Sequence, residues 1–266
     1  INKDNIQLND VFIYPNINVD SDQKKLKRKS SKDLLIEDRF SKVIITGDEC
    51  CGKSTLIRKM YLDFINEGKV CISFDGIEIK KSKKVNSNAI EKALVEQYSD
   101  FSYQDFCDSD KEKVLFIDDF DLIKGPVKEL SKNTISVFNQ FDRIIVAVSD
   151  SYDLGDSRLQ SDNVFLGFEK VEILKLGFKL RFELINKWNS LNEECQSSKD
   201  ELVTKNNLSR RIINEILGKN YIPSSPFFLL TMLQSIDNGT ASEMNTSSYG
   251  YYYQYLITSS FGSSGI

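Results

Sequence analysis

The sequence predicts an α/β fold: a parallel sheet flanked by helices, followed by a small all-α part. Three observations carry that expectation. Between residues 42 and 174, short apolar, β-branched runs alternate with stretches of helical spacing. Strands that alternate with helices pair in parallel and are covered on both faces. After Gly177 the strand pattern stops, and three stretches with one apolar face follow. A turn bounded by Gly47 and Gly52 also joins the first buried-type strand to the first long helix.

The elements follow in order. Val11-Phe12-Ile13-Tyr14 reads as a strand-like patch ended by Pro15. Lys24-Lys25-Leu26-Lys27-Arg28-Lys29 reads as a solvated basic loop, and Leu34–Ile36 as a short amphipathic stretch. Lys42–Thr46 is mostly apolar and β-branched, as a buried strand requires. Lys53–Asn66 has helical spacing through Leu56, Met60 and Phe64, with Leu62 and Ile65 also apolar, and Gly68 stops it. Lys69–Phe74 is a second strand and Ser87–Tyr98 a helix. Val114–Ile117 is a third strand running into Asp118, and a helical pattern returns over 127–140. Arg143–Val148 is a fourth strand and Val171–Leu174 a fifth. Phe178–Leu191, Glu201–Leu217 (stopped by Gly218) and Phe227–Ile236 (opened by Pro226) are the helices of the last part. A tail rich in tyrosine and serine, Tyr249–Phe261, reads as core of that part. The expected domains are an N-terminal strand and linker segment over 1–40, an α/β domain over 41–175 that holds the turn between Gly47 and Gly52, and a helical lid over 176–266 that is cut short at its end. The chain begins at Ile1 and reads as a piece of a longer protein.

Composition removes several chemistries. The 266 residues contain no histidine, which excludes Ser-His-Asp and Cys-His catalysis and histidine zinc sites. A net charge of −4 and a pI near 5.2 give no indication of a nucleic-acid binder. Five cysteines with no CxxC pair suggest reduced thiols and a cytoplasmic protein. No stretch of about 18 apolar residues is present, so no membrane span is expected.

The sharpest motif is Gly47-Asp48-Glu49-Cys50-Cys51-Gly52-Lys53-Ser54. It satisfies G-x-x-x-x-G-K-[ST], the P-loop or Walker A pattern, with a strand before it and a helix after it. Such a loop curls so that backbone N–H groups hold phosphate oxygens, and the helix aims its positive end at the same anion. Gly47, Cys50, Cys51 and Gly52 line the expected cradle. Lys53 supplies a charge to the β- and γ-phosphates, the Ser54 hydroxyl is a ligand for Mg²⁺, and Thr55 reaches the α-phosphate. A second motif is Phe116-Ile117-Asp118-Asp119-Phe120-Asp121. It has the Walker B form, with Asp118 on Mg²⁺ and an acid beyond it to orient and deprotonate water. Asp119 is the first choice for that base and Asp121 the second. Ser149, after strand four, is a candidate sensor of the γ-phosphate. No N-K-x-D motif occurs, since Asn186-Lys187-Trp188-Asn189 fails at its last position, and this favours ATP or ADP over guanine nucleotides. The strand-helix unit 69–98 lies between the two motifs, so a further strand is expected to separate their strands in the sheet. A thiol at a helix N-terminus has a lowered pKa, so Cys50 and Cys51 raise the prospect of redox gating; the plainer reading is that they are small residues that fit the loop.

Gly47–Thr55, Ile117-Asp118-Asp119-Phe120-Asp121 and Pro226-Phe227-Phe228-Leu229-Leu230 together resemble a STAND-class P-loop NTPase, the class of NACHT and NB-ARC modules. The acidic run is similar to the NACHT Walker B, but Asp119 replaces its small residue and brings it nearer the paired acids of NB-ARC. The resemblance implies that Pro226 packs near adenine and senses nucleotide state, with Pro223 a neighbouring competitor. It implies a switch in which ADP holds a closed form and ATP allows a homo-oligomer that activates an effector. Bacterial members of this kind look like antiviral sensors, often joined to an upstream effector such as a calcineurin-like phosphoesterase; no effector lies in this chain. The family's arginine after strand four is Asp150 here, with Arg158 out of register, and its winged helix has no counterpart. Two other readings stand beside it. One is an AAA+-like turnover ATPase acting on DNA or protein, with Arg210-Arg211 as a possible sensor pair. The other is a non-catalytic scaffold that holds nucleotide for structure.

Overall fold

A computed structural model describes residues 6–19, 27–76, 87–122, 134–150, 164–191, 199–220 and 223–237. Its contacts divide the chain into two units. One is Tyr14–Leu174, and the other is Ile1–Ile13 with Lys175–Ile266.

The first unit is a seven-stranded sheet flanked by helices. Its strands are β1 (Asn16–Val19), β2 (Lys27–Ser30), β3 (Lys42–Thr46), β4 (Val70–Asp75), β5 (Lys113–Asp118), β6 (Arg143–Ala147) and β7 (Glu169–Ile173). The order across the sheet is β2-β1-β7-β3-β6-β5-β4. Strands β7, β3, β6, β5 and β4 run parallel, while β1 pairs antiparallel with both β2 and β7. Strands β3, β5 and β6 are buried on both faces: β6 is buried at every position, β3 at four of its five, and β5 at all but its two ends. That is why each reads as a continuous apolar run.

Helix α3 (Lys53–Asn66) covers one face. Leu56, Met60 and Phe64 recur every four residues and are fully buried, and Phe64 meets Phe116 of β5 with ring centroids 6.1 Å apart. Leu62 falls off that stripe and is exposed. On the other face Ile72, Leu115, Ile117, Ile144 and Val146 pack with Leu94 and Phe106. Those two come from α4 (Ser87–Gln97) and α5 (Tyr103–Asp108). Ser102 caps α5 in a reciprocal box with Asp105, a signal the sequence carries in S-x-x-D. At the amino ends of the strands, buried Arg143 donates to Glu112 at 3.1 Å and to the carbonyls of Leu34 and Phe40. Leu34 lies in α2 (Asp33–Ile36). Burial opposes ionisation of Glu112, but the bonds from Lys69 and Arg143 outweigh it and lower its pKa.

The amino-terminal region departs from the expectation. Val11–Tyr14 is not a strand: α1 (Leu8–Val11) ends there, and the chain continues extended to Pro15. Pairing begins at Asn16, where Asn16-Ile17-Asn18-Val19 alternates half-buried and buried. The asparagines hide that period-2 signal. The basic run is not all loop either, because Lys27–Lys29 lie in edge strand β2, where charge is tolerated and discourages further pairing. Lys24, Lys25 and Leu26 lie outside the described residues.

The second unit is helical: α6 (Phe178–Asn189), α7 (Lys199–Asn220) and α8 (Pro226–Asp237). Leu184, Trp188, Ile213, Leu229, Met232 and Leu233 form its core, which Ile13 joins. Lys187 Nζ donates to the Phe12 carbonyl at 2.8 Å, tying the N-terminal segment to α6. Inside the core Asn189 Nδ2 donates to Asn206 Oδ1 at 2.8 Å and to Ser209 Oγ at 3.3 Å, which satisfies its buried amide nitrogen. Trp188 Nε1 donates to Asp237, which also pairs with Lys205 at 2.9 Å. Gly218 does not stop α7: the helix runs on to Asn220, since a glycine in open space costs a helix only about 1 kcal/mol. Of the expected 127–140 helix, 134–140 is described, with 134–138 helical and 139–140 in a turn. Arg158, Cys195 and the Tyr249–Phe261 tail lie outside the described residues. No described helix is long and apolar enough to cross a membrane.

Candidate functional site

In parallel sheets of this kind, ligands bind beyond the carboxyl ends of the strands. The register places the motif residues there. Phe74, Ile117, Val146 and Ile44 form one row across β4, β5, β6 and β3. One residue further on, β4 and β5 end side by side at Asp75 and Asp118. The strand separating the two motif strands is β6, not the strand of unit 69–98, which is edge strand β4.

The loop after β3 is built by backbone conformation. Gly47 has φ +149°, and a Cβ there would meet Cys51 Sγ at 2.9 Å and the Ile173 carbonyl at 3.3 Å. Cys50 takes φ +58°, although non-glycine residues in the left-handed region cost about 1–2 kcal/mol. Gly52 (φ +101°) is the N-cap of α3, and its carbonyl accepts the Leu56 N–H at 2.8 Å. These turns curl the chain in the manner that gathers N–H groups around an anion. No acidic residue occupies the first turn of α3, whose positive end is therefore uncompensated by its own side chains. Lys53 Nζ reaches back across the loop, donating to the carbonyls of Gly47 at 2.8 Å and Asp48 at 3.3 Å. Ser54 is half-buried and Thr55 exposed in that first turn.

Cys51 departs from the lowered pKa that a helix N-terminus alone would give. Cys51 is buried, and burial pushes its thiol pKa up, more than the nearby Lys53 charge lowers it. Desolvation outweighs the helix N-terminus here, so Cys51 is a packed residue and not an activated thiol. Cys50 is exposed.

The acidic corner lies at the end of β5. Asp119 has φ +48°, its N–H donates to Asp118 Oδ1 at 3.1 Å, and its carbonyl accepts the Leu122 N–H at 3.0 Å. That last bond closes the 3₁₀ turn Phe120–Leu122. Asp121 Oδ1 accepts the Ser149 N–H at 3.0 Å, joining the ends of β5 and β6. Burial raises the pKa of Asp119, and the charges of Asp118, Asp121 and Asp75 raise it further, while Lys53 lowers it. Asp119 thus feels both motifs at once.

Asp75 was missed by reading the second strand as ending at Phe74. Like Asp118, Asp75 is an acid that ends an apolar run, but no second acid follows it to mark it. Pro226 opens α8 in the helical unit and is half-buried. Arg211 is held by Glu215 at 3.1 Å, one turn along α7, as a surface pair.

Among the described residues, no group of three or more His, Cys, Asp or Glu is placed to hold a metal ion by itself. The donor set suits Mg²⁺ carried by phosphates, which takes one or two hard protein oxygens and draws the rest from phosphate and water. Ser54 and Asp118 each carry such an oxygen.

No family model matches the chain, and no curated protein matches it. Solved structures do. One is AMPPCP-bound DnaA from Aquifex aeolicus, with a TM-score of 0.49 at 16% identity over 80% of this chain and 61% of that one. Another is Drosophila ORC bound to DNA, with a TM-score of 0.49 at 11% identity over 77% and 59%. A third is Hsp104 in a closed state with ATPγS and casein, with a TM-score of 0.46 at 17% identity over 81% and 37%. The chain spans about six tenths of the first two and less of the third. Sheet order, loop and acidic corner together make this an α/β fold of the P-loop NTPase type, with a helical C-terminal part.

Proposed function

We propose that the chain is an ATP- and ADP-binding module that hydrolyses ATP slowly and works as a STAND-type switch. One observation supports it above the others: the loop after β3 and the acids that end β5 lie at the same edge of the parallel sheet, with only β6 between their strands. The cradle and the acids would therefore serve one site. Gly47–Gly52 would hold phosphate, Lys53 its negative charge, Ser54 and Asp118 the Mg²⁺, and Asp119 the attacking water. Mg²⁺ would supply charge neutralisation between phosphates. Ser149, hydrogen-bonded through its N–H to Asp121, would report the γ-phosphate to β6.

Pro226 in the helical unit would sense the nucleotide, and ATP in place of ADP would favour an oligomer. Nucleotide drives such a change only through different affinities for the two states. Control of an effector elsewhere in a longer protein, in bacterial antiviral defence, is the cellular role this reading suggests.

The first test is chromatography of nucleotide released by denaturing the purified chain, followed by ATPase assay. ADP retained near one per chain with slow turnover is expected. An empty chain that binds ATP weakly and turns it over quickly would favour an AAA+-like ATPase. Nucleotide held with no turnover, unaffected by Asp119→Asn, would indicate the scaffold. A chain that binds neither ATP nor ADP overturns all three.

A further inference from the structure

The end of β4 supplies a contact that neither motif contains. Gly76 follows Asp75, the residue in register with Asp118. A Cβ on Gly76 would lie 2.0 Å from the Asp119 carbonyl oxygen, 2.7 Å from its carbonyl carbon and 3.1 Å from the Asp118 carbonyl oxygen. All three atoms are backbone, so no side-chain rotation relieves the overlap. The φ of Gly76 is not in the left-handed range, so glycine is required here for close approach and not for a turn. For comparison, Gly68 and Gly167 have positive φ and nothing within 4 Å of an added Cβ.

The peptide that Gly76 touches is the one on which the proposed hydrolysis depends. Asp119 is held at φ +48°, a conformation that residues with a side chain rarely adopt. Its carbonyl is gripped by the Leu122 N–H, and the turn so closed carries Asp121 to Ser149. Gly76 lies against that same carbonyl.

We propose that Gly76 is a positioning residue for Asp119: by bringing only a hydrogen to the Asp119 carbonyl, it lets the end of β4 brace the left-handed turn that aims the carboxylate. This rests on the reading of Asp119 as the base. A methyl group at position 76 must displace the Asp118–Asp119 backbone by about 1 Å, and a misplacement of that size costs on the order of 10²-fold in rate. The phosphate cradle sits on β3, with β6 and β5 between it and β4, and is left in place.

The test is Gly76→Ala, with ATP affinity from equilibrium binding and kcat from single-turnover hydrolysis. Affinity within about threefold of the parent and a kcat lower by about 100-fold are expected. Gly218→Ala, a glycine in open space, should match the parent in both. A double-mutant cycle reads the mechanism: once Asp119 is Asn, Gly76→Ala should lower kcat no further. Full turnover by Gly76→Ala, or additive losses in the cycle, overturns the positioning role while the ATPase reading stands. Loss of cooperative thermal unfolding and of ATP binding together marks Gly76 as merely structural and overturns the role too. A parent that binds ATP with no turnover, or whose turnover ignores Asp119→Asn, removes the catalytic reading of Asp119 and this proposal with it.

Discussion

The phosphate cradle and the acidic corner are built by different means. The cradle is local: one strand, one loop and one helix, contiguous from Lys42 to Asn66. Its shape is set by glycines at 47 and 52 and a left-handed Cys50, and its lysine closes back on its own loop. The corner is assembled. Asp75, Asp118, Asp121 and Ser149 come from three strand ends, joined by the Asp75–Asp118 register and the Asp121–Ser149 bond. The cradle gathers donors for an anion and carries no acid in the first turn of its helix, whereas the corner crowds four carboxylates until one resists ionisation. On the proposed function, binding would depend on a short stretch of chain, while chemistry would depend on how strands are stacked side by side. Changes to the first should abolish occupancy, and changes to the second should leave it.

The largest effect should come from Lys53→Ala. At about 1,000 times its Kd, ATP should stabilise the parent by about 4 kcal/mol, seen as a thermal shift, and the variant should show none. A persisting shift would break the comparison at its first side. Next is Asp119→Asn, where turnover should fall 10²- to 10⁴-fold with ATP affinity nearly unchanged.

The same substitution sharpens the contrast through stability. The folded pKa of Asp119 is raised, so between the ordinary carboxylate value and the folded one the native chain holds more protons than the unfolded chain. Stability from this group therefore falls as pH rises through that window. Asp119→Asn should raise Tm at neutral pH and flatten that part of the pH profile; a lower Tm at neutral pH would contradict the crowding. A smaller effect is expected for Asp121→Ala, which removes the acceptor of the Ser149 N–H. A loss of about 1–3 kcal/mol in urea unfolding should follow, while Asp121→Asn, which keeps an acceptor oxygen, should lose less. Smallest is the response of the loop thiols. Iodoacetamide on the native chain should label exposed Cys50 and spare buried Cys51, and peptide mapping reads the ratio.

Much of this was legible in the residues, for reasons that differ by place. Lys42–Thr46 and Arg143–Val148 are so apolar that only a doubly covered strand explains them. The Gly47–Ser54 spacing is a local device, readable because its function requires contiguity. Asn16–Val19 was not read as a strand, because its polar half is asparagine and one of its two partners, β7, is distant in sequence. Asp75 was missed because nothing local distinguishes it from a surface acid. The sequence left two readings of Cys51, an activated thiol and a small residue that fits the loop, because it places the thiol at a helix N-terminus but gives no measure of burial, and burial decides for the second.

By itself the amino-acid sequence determined the α/β alternation, the change to helices after Gly177, the phosphate loop with Lys53 and Ser54, and the acids that end β5. Each of these depends on residues near one another in the chain, whose periodicity and backbone preferences act over a few positions. Only the tertiary structure decided which strand lies between the two motifs, that Asp75 stands beside Asp118, that Asp121 holds Ser149, and that Gly76 meets the Asp119 carbonyl. Those follow from strand order and register, which are set by the packing of both sheet faces across contacts far apart in sequence.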